Sequence, residues 1–317
     1  MPIESPWLTA EAPAKLNLGL RILGRRPDGF HELESVFVPL EWHDLLRGRP
    51  ARADLFTCSD PSLPTNEGNL VRRALAVWRG AAREAGHDGW SRPVELELVK
   101  RIPAGAGLGG GSSDAAACLR LLGRLFPPAL PDFVLASLSL TLGSDVPFFL
   151  QPDWAHVTGR GEIITPIAPF FSDDVVLVWP GLHVPTTWAY ARLSDSLTKQ
   201  GRYASFQGFS GFVNGQVDPA SWPGNDFEPV VFAEHPVLGE LKQTLLDAGA
   251  RHAAMSGSGS AVYGLFDSAQ SASRVTQQLR SRHPVVQLTR PRGAAFAREE
   301  GGKGRHENHR SQCEPPE

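Results

Sequence analysis

From residue 14 to residue 23 the chain alternates apolar and polar positions. Leu16, Leu18, Leu20 and Ile22 fall on one side, and Lys15, Asn17, Gly19 and Arg21 on the other. A two-residue period belongs to a β-strand with one buried face, so a strand is predicted there, preceded by a short leader over residues 1–12. Pro27, Asp28 and Gly29 then mark a turn, and a second strand is predicted over 35–40. Helical spacing takes over at 69–85, ending near Gly86. Val94, Leu96 and Leu98 alternate with Glu95 and Glu97, as in a half-exposed strand whose glutamates face solvent. After a glycine-rich loop, Ser112, Ser113 and Asp114 are residue types that cap helices. Ala115, Cys118, Leu119, Leu122 and Leu125 follow at three- and four-residue spacing. A helix is therefore predicted to open at 112–114 and to end at Pro127-Pro128, with another over 132–142.

In the second half, strands are predicted over 175–179, 261–266 and 285–289, and helices over 236–248 and 271–282. Residues 201–218 are rich in Gly, Ser and Phe and read as an irregular insertion. From about Arg298 the chain is polar without periodicity, so a disordered tail is expected. At 317 residues the chain fits two domains of roughly 100–200 residues. The boundary is expected within 152–165, giving segments 1–158, 159–297 and the tail 298–317.

Composition narrows the class. With 41% hydrophobic and 21% charged residues, a sizeable core can form. A net charge of −3 argues against a nucleic-acid partner, which would call for a basic excess. No apolar run approaches the ~18 residues of a membrane span. Residues 1–14 lack Lys and Arg and carry Glu4 and Glu11, so no secretory signal is expected. Cys58, Cys118 and Cys313 are few and far apart. They fit a reducing cytoplasm and offer neither a disulfide framework nor a CxxC metal site. His306 and His309, in the tail, read as solvated.

The most informative stretch is Pro103-Ala104-Gly105-Ala106-Gly107-Leu108-Gly109-Gly110-Gly111-Ser112-Ser113. It joins a strand to a helix. Glycines let the backbone approach a ligand closely, and the free amides and positive dipole end of a helix start suit phosphate. A Walker loop would need Lys after its last glycine, and no Lys lies between Pro103 and Asp114. The HRD and DFG strings of protein kinases are absent. The dinucleotide fingerprint GxGxxG is met by Gly105, Gly107 and Gly110. It also requires an acid about 20 residues on, after a second strand, and Asp132 follows a proline break instead. A nicotinamide-dependent oxidoreductase and a non-catalytic nucleotide-binding module therefore stay open beside a kinase.

The whole loop resembles the phosphate loop of the galactokinase, homoserine kinase, mevalonate kinase and phosphomevalonate kinase superfamily. Ala12-Pro13-Ala14-Lys15-Leu16-Asn17-Leu18 is similar to its first motif, and Ser256-Gly257-Ser258-Gly259-Ser260-Ala261 opens a stretch similar to its third. Three further strings resemble the members acting on a cytidine-diphosphate-linked methylerythritol. They are Arg25-Arg26-Pro27-Asp28-Gly29-Phe30-His31-Glu32-Leu33, Leu142-Gly143-Ser144-Asp145-Val146-Pro147-Phe148-Phe149 and Asn225-Asp226-Phe227-Glu228. The resemblance covers roughly residues 11–290. It implies a two-domain α+β fold, with an N-terminal domain like ribosomal S5 domain 2, a C-terminal α/β sandwich and an active site in the cleft between them. It also implies ATP-dependent phosphorylation of the acceptor's 2-hydroxyl, in the non-mevalonate route to isoprenoid precursors. Homoserine or mevalonate is the alternative acceptor within the superfamily.

The resemblance makes Lys15 and Asp145 the catalytic pair. From the strand alone, Lys15 would read as solvated. Residues 103–113 are expected to bind ATP with Mg²⁺, with the Ser112 or Ser113 hydroxyl as a candidate Mg²⁺ contact and no dedicated metal cage. Acceptor binding is expected from Asn17, Phe30, His31, Tyr190, Ser256, Gly257 and Ser258. Phe30 stands where the superfamily branch has a Tyr, so the ring can still stack but has no phenol hydroxyl to offer. Asn225, Asp226 and Glu228 read equally well as a helix start. No macromolecular partner is expected, and the chain is expected to be a monomer or weak homodimer.

Overall fold

In the computed structural model, residues 6–86, 92–200, 209–215, 217–218 and 221–293 are described, with backbone alone for 195–200 and 210. The expected disordered tail and much of the 201–218 insertion lie outside the described residues. The first half comprises β1 (Leu8–Arg25), β2 (His31–Pro50), β3 (Leu55–Cys58), α1 (Leu70–Glu84), β4 (Val94–Val99), α2 (Gly110–Leu125), α3 (Asp132–Leu142), α4 (Val146–Leu150), β5 (Ala155–Gly159) and β6 (Ile163–Pro166). The second half comprises β7 (Asp174–Trp179), α5 (Thr186–Gln200), α6 (Phe209–Val213), α7 (Glu228–Glu234), α8 (Pro236–Asp247), β8 (His252–Met255), β9 (Val262–Phe266), α9 (Ala269–Arg280) and β10 (Val285–Thr289).

β2 is the spine of the first sheet. β1 pairs antiparallel along one edge, and on the other β5 pairs near its start and β4 at its end. β3 extends the sheet beyond β4 in parallel, and β6 beyond β5. The β5–β6 hairpin carries this sheet to Pro166, across the expected border at 158. The second sheet is antiparallel in the order β10-β7-β9-β8. After β10 the chain returns to the first sheet, where Glu41 N donates to Arg290 O and Arg292 N donates to Pro39 O, both at 2.8 Å.

Two expectations at the N-terminus are corrected. The supposed leader is strand from Leu8 onward, since Leu8–Glu11 pair with Gly48–Leu45 of β2. The alternating leucines do not share one face. Register shifts fall between Pro13 and Lys15 and between Leu18 and Leu20. An irregularity of this kind turns the following side chains to the other face. Leu16 and Leu18 consequently pack in one core with Val36 and Val38, while Leu20 and Ile22 pack in the other with Leu33 and Phe37.

The helices follow their apolar periodicity. Asn69 caps α1 by accepting the Val71 amide at 3.0 Å, and Val71, Ala74, Leu75, Trp78 and Ala82 are its buried stripe. α2 starts at Gly110, two residues before the expected serine cap. Its cap is Gly109 at φ 72°, a left-handed conformation that serine rarely adopts. Ser113 and Asp114 lie buried inside the helix.

Candidate active site

A cavity of about 650 Å³ opens between the two halves of the molecule. At one end lie Lys15 and Asp145, with Nζ 3.6 Å from Oδ2. The β1 shifts place Lys15 and Asn17 on the helix side of the strand, where both are buried. Lys15 N donates to Leu108 O at 3.0 Å, which fastens this strand to the glycine-rich loop. Its Nζ donates to Asn17 Oδ1 and stands 4.4 Å from the centre of the Phe37 ring. Burial pushes the Lys15 pKa down, and the Asp145 carboxylate opposes that shift. Asp145 precedes α4, at the mouth of the cavity.

The glycine-rich loop crosses the cavity wall. Gly105, Gly107 and Gly109 all have positive φ. At Gly107 a Cβ would stand 2.0 Å from Ser256 O, so only glycine allows the two loops to meet. A Cβ at Gly109 would meet the Phe149 ring at 2.7 Å and Lys15 Cγ at 3.1 Å. Gly107 and Gly109 line the cavity, whereas Ala106 and Leu108 are buried in a core cluster and hold the loop down. Pro103 is half-buried, and Ala104 and Gly105 are exposed on the approach to the bend. Ser113 N donates to Gly109 O at 2.9 Å. The preceding amides, at Gly110, Gly111 and Ser112, have no acceptor within the helix, the arrangement that suits an anion. Ser113 Oγ is buried with no hydrogen-bond partner among the described residues.

The second glycine loop is tied in from three sides. Ser256, expected to meet a ligand, is fully buried; its Oγ accepts the Asn17 amide at 3.2 Å and donates to Gly107 O at 2.9 Å. Gly257 and Ser258 do line the cavity. Asn225 Nδ2 donates to both Met255 O and Gly257 O at 2.7 Å, and Glu228 Oε1 accepts the Met255 amide at 2.8 Å. Asp226 Oδ2 accepts the Ile22 amide at 2.8 Å. The Asn225-to-Glu228 string thus clamps β1 to the second loop.

The other end of the cavity is aromatic. His31 and Tyr190 stack with centroids 4.8 Å apart, and Phe227 meets Tyr190 edge-on at 4.9 Å. No ring fits between His31 and Tyr190 at that separation. His31 Nε2 is 2.8 Å from Ser194 Oγ. Burial lowers the His31 pKa, with the Arg25 charge adding, which favours a neutral ring. Burial pushes the Tyr190 phenol up to about 12, with the Asp145 charge adding. Phe30 is 54% exposed at the rim. Leu20, Phe37, Leu140, Ser144, Arg160, Thr186 and Thr187 also line the cavity. Of these, Leu20, Phe37, Leu140 and Ser144 stand in stretches already picked out by pattern or motif, and the others come from separate parts of the chain that carry no such signal.

Beneath α2 lies a buried charge cluster. Lys100 Nζ contacts Asp44 Oδ2 at 2.5 Å and Asp114 Oδ2 at 2.7 Å. Asp44 Oδ1 also accepts the amides of Arg101 at 2.5 Å and Ile102 at 2.8 Å, fixing the entry to the glycine loop. Burial pushes the Asp114 carboxyl up to about 7, against the pull of Lys100.

A phosphate-type loop at a helix start and a paired amine and acid across a cleft define a small-molecule kinase of the GHMP class. The models for the GHMP kinases N terminal domain and C terminal domain match residues 69–152 and 215–285. A relative from Solidesulfovibrio magneticus, named 4-diphosphocytidyl-2-C-methyl-D-erythritol kinase, is 43% identical over 90% of this chain and 97% of its own length. One of the same name from Chlorobium phaeobacteroides is 38% identical over the same shares. A crystal structure titled 4-(cytidine 5'-diphospho)-2C-methyl-D-erythritol kinase aligns with TM-score 0.75 and 34% identity, over 90% of this chain and 99% of that one. A homoserine kinase from Cytophaga hutchinsonii, at 19% identity and TM-score 0.65 over 90% of this chain and 96% of that one, shares the fold. The chain belongs to the 4-diphosphocytidyl-2-C-methyl-D-erythritol kinase family, and its fold is the two-domain GHMP kinase fold.

Proposed function

We propose that the protein transfers the γ-phosphoryl group of ATP to the 2-hydroxyl of 4-diphosphocytidyl-2-C-methyl-D-erythritol, giving the 2-phosphate and ADP for isoprenoid precursor synthesis. The observation that carries this reading is the 3.6 Å approach of Lys15 to Asp145, in a cavity that also touches the glycine-rich loop and ends in aromatic rings. Asp145 accepts the proton of the hydroxyl as the phosphoryl group moves, and holds that hydroxyl in line for attack. Lys15 steadies the carboxylate in its charged form and opposes the negative charge that spreads over the moving group. The amides of Gly110, Gly111 and Ser112 hold the phosphates at the positive end of α2. The Ser113 hydroxyl, without a hydrogen-bond partner among the described residues, and the neighbouring Ser112 fit a Mg²⁺ carried in with the nucleotide. When bound there, the ion would offset phosphate charge, with the Ser112 and Ser113 hydroxyls as the protein groups that would hold it. At the far end, the exposed ring of Phe30 offers a plane for cytosine, Tyr190 backs the His31 ring, and the His31 nitrogen not facing Ser194 presents a hydrogen-bonding group to the base edge.

A coupled ADP-release assay with the cytidylyl alcohol, homoserine and mevalonate tests the reading. ATP consumption with the first alone, inhibited by CDP competing with that acceptor, is expected. Turnover confined to homoserine or mevalonate would reject it.

A further inference from the structure

His183 stands on the loop between β7 and α5, in the second half of the molecule, and reaches across to the glycine-rich loop of the first. A Cβ on Gly105 would come within 2.3 Å of its Nδ1 and 2.5 Å of its Cε1, against 3.7 Å from its Cγ. The ring therefore meets Gly105 edge-on, with Nδ1 foremost, and the contact exists only because residue 105 carries no side chain. The main chain beside His183 is held on both sides. Leu182 O accepts Ser260 Oγ at 2.5 Å and Trp179 Nε1 at 3.0 Å. Val184 is buried, and Thr186 Oγ1 lies 2.9 Å from Ser258 Oγ. The His183 side chain itself is exposed and makes no hydrogen bond to any described residue. A fixed backbone thus holds an imidazole with uncommitted nitrogens against the loop that suits phosphate.

Where it touches that loop matters. Gly109 lies against Lys15 and lines the cavity that holds the Lys15–Asp145 pair. Gly105 lies outside that lining, on the exposed limb of the same loop. A triphosphate whose last group sits by Lys15 and Asp145 runs back along the loop, and the groups that pass Gly105 are ones that are not transferred. An imidazole carries at least one N–H in either of its states, and a hydrogen bond to an ionised acceptor is stronger than one to a neutral acceptor. We infer that His183 is a nucleotide-binding residue supplied by the second half of the molecule, donating a hydrogen bond to the non-transferred phosphates of ATP and ADP. This rests on the phosphate-binding reading of residues 103–113 given above. Because ADP keeps those phosphates, the bond is the same before and after transfer, so it acts on affinity more than on rate.

Calorimetric titration of the full-length protein with ATP, ADP and adenosine, together with steady-state kinetics, compares wild type with His183→Ala, His183→Phe and His183→Gln. The Ala and Phe variants should bind ATP and ADP about tenfold more weakly, with adenosine within twofold of wild type. Their KM for ATP should rise by a similar factor, well beyond any change in kcat. His183→Gln keeps an N–H donor and should recover part of the loss. If His183→Phe binds ADP as wild type does, the ring serves only to pack against Gly105 and the inference falls. It falls too if adenosine weakens in step with ADP, or if kcat drops while the KM for ATP holds. A wild-type protein that binds neither ATP nor ADP would overturn the phosphate-loop reading itself, and this inference with it.

Discussion

Lys15 and Asp145 form an ion pair of unequal burial, with the lysine side chain 5% exposed and the aspartate 30%. The two charges are therefore not interchangeable in what their loss does. Asp145→Asn strands a buried ammonium beside Asn17, whereas Lys15→Met leaves a carboxylate that water can reach. Both variants should lose about 10²–10⁴-fold in kcat with ATP affinity within a few-fold of wild type. Asp145→Asn should also melt lower, by about 1–2 kcal/mol, a figure discounted because the acid faces solvent. Single-turnover kinetics and thermal melts check both points. Near-normal turnover in Asp145→Asn would remove that residue from the mechanism.

Gly107 is the point where the two glycine loops touch. Gly107→Ala should fail on two counts, a positive φ and a collision with the Ser256 carbonyl. A stability loss of about 1–3 kcal/mol is expected, with a rise in the KM for ATP. Gly111, where a Cβ would come no closer than 3.4 Å to Leu70 Cδ1, is the control. Gly111→Ala should be far milder in denaturant titrations.

Asp114 should reveal itself through pH. Its folded pKa is raised to about 7 by burial, so the folded state holds the proton more tightly than the unfolded chain. The stability contributed by the protonated form is full below the unfolded carboxyl range. It declines as pH rises and is lost once pH passes about 7. Asp114→Asn mimics the protonated acid and should lose less stability between pH 6 and 8.5 than wild type. Parallel melting curves for the two proteins across that range would show that Asp114 stays ionised in the fold.

His31 should act as a neutral ring. Its pKa is lowered by burial and by Arg25, so the neutral form persists in the fold below the ordinary histidine value. The stability that His31 contributes should therefore be lost, and the acceptor KM should rise, only as pH falls below about 6.5. His31→Asn should flatten that limb of the KM profile while leaving the KM for ATP unchanged. A limb that survives in the variant would belong to another group.

Much of the architecture was legible because local pattern and tertiary role agree. The strand Val94–Val99 and the helix Asp132–Leu142 run where their periodicity puts them. The helical stretch around Pro236 also starts at its proline, as expected at a first turn. What alternation could not reveal was the set of register shifts in β1, which depend on pairing with β2 and on the demand that leucines serve two cores. Nor could it show that a glycine would cap α2, because the left-handed entry is forced by the loop packed before it. At the site, the motif residues Lys15, Asn17, His31 and Asp145 all line one cavity. Ser256, Asn225 and Glu228 stand in motif strings, but only the folded chain shows that they brace the second loop.

The return of the chain after β10 has a mechanical consequence. Trp154 Nε1 donates to Arg292 O at 2.7 Å and Arg292 also pairs with Glu11 at 2.7 Å, so the last described segment buckles the far sheet onto the near one. Stitched at this seam and again where Ala261 N donates to Ala106 O at 3.0 Å, the halves are poorly suited to swing as jaws.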